Sequence, residues 1–158
     1  TPLLAAAQNG HTDAVKLLVA KGADADKETT DGGFTPLLFA AANGHVDVIK
    51  LLVAEGADSD KARTDDGCTP LYSAAQEGHT DAVKLLLAKG ADADKARTDA
   101  CPTSSSAAAD DADSAEVDLL LAKDADVDKT TTDAGSVPLF VAAADGHTDE
   151  DKLLLTKG

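Results

Sequence analysis

The tripeptide Thr-Pro-Leu recurs in this chain at a fixed interval. It begins at Thr1, Thr35 and Thr69, so successive copies start 34 residues apart. Another step of 34 reaches Thr103, and one more reaches Val137, which precedes a further Pro-Leu pair. Self-similarity at this period indicates a solenoid, because a single unit cannot bury its own apolar face and must stack on its neighbours.

The interval predicts one array of five units rather than separate domains. The units span 1–34, 35–68, 69–102, 103–136, which is degenerate, and 137–158, which is incomplete. The start of the fourth unit, TSSSAAADDADSAE, has the composition of a linker. However, the leucines at 119–121 fall where those at 85–87 fall one unit earlier, and a linker has no reason to keep that register.

The second unit shows how each unit is expected to fold. Thr35 can cap a short first helix, and Gly44 can end it by adopting a positive φ. A second, more apolar helix is predicted over 46–55 and ends at Gly56. The polar run 58–67 then leaves the helical layer and returns as an extended, turn-rich finger.

The order of T-P-L-x-x-A-A, G-H, L-L-L and G-A-D within the units resembles the ankyrin repeat. That resemblance implies an all-α, ankyrin-like α-solenoid of helix-turn-helix units with projecting hairpin fingers and a concave protein-binding groove. Each unit is one residue longer than the family's usual length of about 33. The histidine that the family usually carries after Thr-Pro-Leu is replaced at every equivalent position, by Leu4, Leu38, Tyr72, Ser106 and Phe140.

The charge balance narrows the class of partner. The chain carries 29 acidic and 14 basic residues, a formal net charge of -15. This field repels phosphate backbones and anionic headgroups, so nucleic acid and membrane surfaces are excluded as partners. A partner protein with a basic or mixed surface is favoured instead. We expect a monomer.

Three further features bear on the origin and cellular location of the chain. No apolar run approaches the roughly 20 residues of a spanning helix. The two cysteines, Cys68 and Cys101, are too few for a disulfide framework, which favours an intracellular and cytoplasmic protein. We expect both to remain thiols, with Cys68 the more exposed. The chain begins at Thr1 without methionine, which we interpret as an excised piece of a longer protein.

The residues that suggest metal binding or catalysis have a simpler interpretation. Histidines follow a glycine once in each unit except the fourth, and equivalent positions in a solenoid lie about 10 Å apart, whereas metal ligands must converge. A structural imidazole bridging the turn between helices is the better interpretation. The Asp-rich loops lack the glycine and glutamate of a calcium loop, since Thr29 and Thr35 stand there when counting starts at Asp24. We interpret these aspartates as solvated turn carboxylates. We therefore predict no metal, no cofactor and no catalytic residue.

A partner is expected to contact the finger tips and the exposed ends of the first helices. Phe34 is the strongest single prediction, while Phe39 and Tyr72 either anchor a partner or fill the space left by the absent family histidine. The predicted contact residues are Gln8, Asn9, Asp31, Phe34, Asn43, Asp65, Asp66, Cys68, Tyr72, Gln76, Glu77 and Asp99.

The sequence thus predicts a protein-protein interaction module without catalysis. The alternative is a rigid spacer within a larger protein whose activity lies elsewhere. The fourth unit lacks its turn glycines, and the fifth places Asp151 where valine or isoleucine serves the core. Because of these losses, we expect the last two units to open first in hydrogen exchange.

Overall fold

The computed structural model describes residues 1–93 and 95, which hold most of the first three units. Each of these units contributes two helices, and no strand occurs within the described residues. The helices are α1 (Pro2–Gln8), α2 (Thr12–Ala20), α3 (Pro36–Ala42), α4 (Val46–Ala54), α5 (Pro70–Gln76) and α6 (Thr80–Ala88). The prediction of an all-α helical solenoid is confirmed. The predictions for units four and five, Asp99 and Cys101 lie outside the described residues.

The repeated Thr-Pro pair starts the first helix of each unit. The hydroxyl of Thr35 accepts from the main-chain nitrogen of Leu38 at 3.1 Å, and Thr69 does the same for Tyr72. Both threonines are buried, so each hydroxyl satisfies a helix N–H that water does not reach. The following proline occupies the first turn, where its missing N–H removes no helical hydrogen bond.

The first helix ends in a turn that depends on glycine. Gly44 has φ +67°, and the nitrogens of Gly44 and His45 donate to the carbonyls of Ala41 and Ala40. This is the pattern of a Schellman cap, which requires a left-handed residue just after the helix. The helix end predicted at Gly44 is confirmed, as is the one at Gly56, which has φ +92°.

The helices form two layers. The first helices of the units, α1, α3 and α5, contact one another in chain order, and the second helices, α2, α4 and α6, form the other layer. Alanines pack between the first helices, where Ala40, Ala41, Ala74 and Ala75 have no exposed surface, and their small size lets neighbouring helices approach closely. Larger side chains such as Ile49 fill the space between layers, each stabilising the fold by about 1.5–3 kcal/mol.

In the three described units, the residue at the position of the absent family histidine belongs to the core. Leu4, Leu38 and Tyr72 are all buried, at 5%, 3% and 3% exposure. Apolar packing therefore replaces a polar side chain at this position. For Tyr72, the structure supports the interpretation that the ring fills space.

The fingers of the first two units are tight hairpins that stack on each other. The nitrogen of Thr29 donates to the carbonyl of Phe34, and Arg63 donates to Cys68 in the same way. Between fingers, the nitrogen of Thr64 donates to the carbonyl of Gly32. Gly33 is buried so close to the next finger that a β-carbon there would lie 2.8 Å from the nitrogen of Thr64. The close stacking of these two fingers therefore requires glycine.

Candidate protein-binding groove

The first helices present one surface toward solvent, which we call the inner-helix face. It consists of three rows of equivalent positions: Ala5, Phe39 and Ser73; Gln8, Ala42 and Gln76; Asn9, Asn43 and Glu77. Most of these residues are exposed or half-buried, and Ser73 is buried. Five of the predicted contact residues, Gln8, Asn9, Asn43, Gln76 and Glu77, lie together on this face.

The residues of the third row differ in hydrogen-bonding capacity and charge. The side-chain amides of Asn9 and Asn43 donate at 2.8 Å to the carbonyls of Ala5 and Phe39, at the ends of their own helices. Glu77 stands at the equivalent place and has no donor to offer. It is the only charged residue among the nine positions of the inner-helix face.

An aromatic stack connects the first finger to this face. The rings of Phe34 and Phe39 lie nearly parallel, with centroids 4.9 Å apart. The guanidinium carbon of Arg63, from the next finger, lies 3.8 Å from the centroid of Phe34. A guanidinium so close to the centroid leaves no room for a second ring on that side, so Phe39 and Arg63 cover opposite faces of Phe34. Partner contact by Phe34 stays a prediction, and the ring also has this internal role.

Three predicted contact residues are not available at the surface. Asp66, Cys68 and Tyr72 are buried, at 2%, 6% and 3% exposure, and the prediction that Cys68 is exposed at a finger tip is wrong. Cys68 directly precedes the cap of α5, and its sulfur points back to the hydroxyl of Ser73 at 3.2 Å. Phe34 directs its ring to Phe39 across the same five-residue separation, so the residue before the cap faces its own helix.

The finger turns carry acidic side chains around one arginine. Asp31 and Asp65 are exposed, as predicted for finger tips. Arg63 forms ion pairs with Asp65 and with the buried carboxylate of Asp66, the latter at 3.3 Å. Partial desolvation raises the pKa of Asp65, but the hydrogen bond and positive charge of Arg63 outweigh it, so this pKa lies below its ordinary value.

The Asp-x-Asp segments connect neighbouring units. Asp24 accepts from the nitrogen of Asp26 within one loop, and Asp26 accepts from the nitrogen of Asp58 in the next unit at 3.1 Å. The pattern repeats one unit later, where Asp60 accepts from Asp92 at 2.9 Å. Lys61 adds an ion pair with Glu28 of the preceding unit, which raises the pKa of Lys61. Sequence reasoning treated these aspartates as solvated turns and missed their structural role.

The histidines also link units. Nε2 of His45 lies 3.0 Å from the carbonyl oxygen of Gln8, and Nε2 of His79 lies 3.2 Å from that of Ala42. The predicted bridging role therefore extends to the preceding unit. Within residues 1–93 and 95, no three His, Cys, Asp or Glu side chains are grouped as a metal site requires.

Comparison with known proteins identifies a family whose model matches this chain. The family model that describes ankyrin repeats in three copies matches residues 3–99, which is more than half of the chain. No curated protein shows significant similarity to this sequence. In the described part of the chain, every helix is too short or too polar to cross a membrane.

Proposed function

The chain belongs to the ankyrin repeat family, whose members are in general protein-binding modules, and on that premise we propose that it binds a partner protein through the inner-helix face and the finger turns. Members of the family typically do no catalysis. The chain catalyses no reaction itself. The array comprises all five units and acts as a monomer inside the cell.

The aromatic stack of Phe34 and Phe39 is the observation that carries this proposal. Both rings are half-buried, and the positions around Phe39 on the inner-helix face are small or uncharged, namely Ala5, Ala42 and Asn43. Aromatic side chains bordered by polar groups are where protein interfaces concentrate their binding energy. Because the stack and Arg63 hold Phe34 in place, little conformational entropy is lost when a partner contacts this region.

The charge of the finger turns supports a partner with a basic or mixed surface. Arg63 is offset by Asp65 and Asp66, while Asp31 is exposed without an ion-pair partner in the described residues. The turns of the first two fingers are therefore net negative. Such a surface attracts basic groups, and salt weakens the attraction.

A site-specific crosslinking experiment tests this proposal. A photo-reactive amino acid replaces Asn43, on the inner-helix face, or Lys50, which is exposed on the second helix of the same unit. We expect crosslinks in the native host from position 43, few from position 50, and a loss of those at position 43 when Phe39→Ala is added. Equal crosslinking at both positions would contradict groove binding.

The rigid-spacer alternative has its own supporting observation. Polar contacts such as Asp26 with Asp58 and His45 with Gln8 connect the units regularly and stiffen the array. A spacer needs no binding surface on the inner-helix face. It therefore predicts no specific crosslink from position 43 and no effect of Phe39→Ala.

A further inference from the structure

The inner-helix face is not uniform along the array. Among its nine positions there is one aromatic residue, Phe39 in the second unit, and one charged residue, Glu77 in the third. The two lie on neighbouring helices, α3 and α5, which contact each other. An apolar place and an anionic place are thus set a fixed distance apart in the described part of the groove.

Phe39 provides the apolar place. One face of its ring is stacked on Phe34, and no second ring stacks on Phe39 within the described residues. Its neighbours on the face are Ala5, at the equivalent position of α1, and Ala42, one turn further along α3. Because these side chains are short, the surface beside the ring has room for an aliphatic side chain.

Glu77 provides the anionic place. It is exposed and is the C-cap of α5, where the helix carries its partial negative charge. No Lys or Arg of the described residues pairs with it. A carboxylate at this end of a helix is in an unfavourable potential, so a cation from outside would stabilise both the carboxylate and the last carbonyls of the helix.

The distance between Phe39 and Glu77 determines how far apart in its chain a ligand's two contacting side chains must be. Packed helices lie about 8–10 Å apart, and the offset of four residues along the helix adds about 6 Å of rise, which gives roughly 11 Å in combination. An extended chain covers about 3.1–3.4 Å per residue. Three or four residues therefore separate side chains that reach both places.

We infer that the groove takes an extended segment of the partner with an aliphatic side chain against Phe39 and a Lys or Arg, three or four residues away, against Glu77. This inference rests on the proposed function and specifies the chemistry of its ligand. Charge complementarity with Glu77 selects the basic side chain, and the stacked ring selects the aliphatic one.

A set of fluorescent peptides tests the inference. Each peptide carries one Leu and one Arg in a neutral scaffold, in either order, at separations of one to eight residues. Affinity for the whole chain is measured by anisotropy. We expect a maximum at separations of three or four. Glu77→Gln should weaken the best peptides by about threefold to tenfold and leave peptides with Gln in place of Arg unchanged.

Matched variants separate the site from general charge and folding effects. Asp47→Asn removes an exposed carboxylate from the second-helix layer and should leave affinity unchanged. Glu77→Lys should shift the preference to peptides with Glu in place of Arg. Phe39→Ala should remove the preference for Leu, and circular dichroism confirms that each variant is folded.

Two outcomes would overturn the inference: affinity that is independent of separation, or equal losses in Glu77→Gln and Asp47→Asn. If crosslinks still form at position 43, the proposed function stands while the inference fails. If those crosslinks are absent as well, both fail.

Discussion

The main-chain nitrogen of Asp58 lies 3.1 Å from a carboxylate oxygen of Asp26 in the preceding unit. The same contact joins Asp92 to Asp60 one unit later, at 2.9 Å. A carboxylate that accepts from a backbone N–H makes a charge-assisted hydrogen bond, which is stronger than a neutral one. These contacts tie successive units together through the Asp-x-Asp segments, which recur in phase with the repeat.

Removing the first of these carboxylates should destabilise the array. Asp26→Ala deprives the nitrogen of Asp58 of its acceptor and should lower the free energy of unfolding by about 1–2 kcal/mol. Asp26→Asn is the matched control, because its amide oxygen can still accept, and it should lose clearly less. The chain has no tryptophan and one tyrosine, so urea unfolding is best followed by circular dichroism at 222 nm. Equal losses in both variants would show that charge, not the acceptor, matters.

The turn glycines provide a test of how closely the units pack. Gly44 and Gly56 both have positive φ, but a β-carbon at Gly44 would lie 2.8 Å from the ring of His79, whereas one at Gly56 meets nothing within 4 Å. Gly56→Ala should cost about 1–2 kcal/mol for backbone strain alone. Gly44→Ala should cost about 1–3 kcal/mol more, because the ring must also move.

A second variant isolates the ring's contribution at Gly44. In a His79→Ala background, Gly44→Ala should cost about as much as Gly56→Ala, since only the strain remains. The free energies of unfolding of the single and double variants form a double-mutant cycle. A cycle with no coupling between positions 44 and 79 would contradict the contact.

Arg63 should stabilise the second finger mainly through Asp66. Arg63→Thr introduces the residue that stands at the equivalent position of the first unit, Thr29. It leaves the buried carboxylate of Asp66 without its cation and should cost about 2–4 kcal/mol. In an Asp66→Asn background the same change should cost less, because no buried charge is left unpaired. Urea unfolding of the four proteins measures this, and additive losses would refute it.

The ion pair of Arg63 with Asp65 should make stability depend on acidic pH. The pKa of Asp65 is lower in the folded chain than its ordinary value of 3.8, so its contribution to stability is present above that pH. The contribution is lost as pH falls through the lower, folded value. The difference in stability between the wild type and Asp65→Asn should therefore shrink between pH 5 and pH 2, as urea titrations at each pH will show.

The ion pair of Lys61 with Glu28 should make stability depend on alkaline rather than acidic pH. This pair raises the pKa of Lys61 above 10.5, so its contribution is complete below that pH and lost at higher pH. Lys61→Gln should differ from the wild type at neutral pH, and the difference should shrink in alkaline solution. A constant difference would mean that the ion pair does not act through charge.

The local signals in the sequence predicted the helices correctly. Thr35 and Gly44 act within a few residues of themselves, one by capping a helix start and the other by adopting a positive φ, so their effects follow from their type and position. The 34-residue interval likewise predicted stacking, because each unit exposes an apolar face that only a neighbour can cover. The resemblance carried by Thr-Pro-Leu, Gly-His and Gly-Ala-Asp identified the family before any helix was placed.

The sequence did not reveal which way the side chains of the fingers face. Cys68 was predicted to be exposed, but the residue before a helix cap turns toward its own helix, where it meets Ser73. The inter-unit role of Asp26 left a signal, since Asp-x-Asp recurs in phase with the units. That signal was misread because the partner is a backbone N–H, which every residue has and which no sequence pattern marks.

The sequence by itself determined the repeat, the helices and the stacking, because these depend on periodicity and on residues that act locally. Only the tertiary structure decided which polar groups join units and which aromatic rings face the groove. Those contacts depend on distances between atoms of neighbouring units, which are far apart in the chain. They arise when neighbouring units pack, as they do between Phe34 and Arg63.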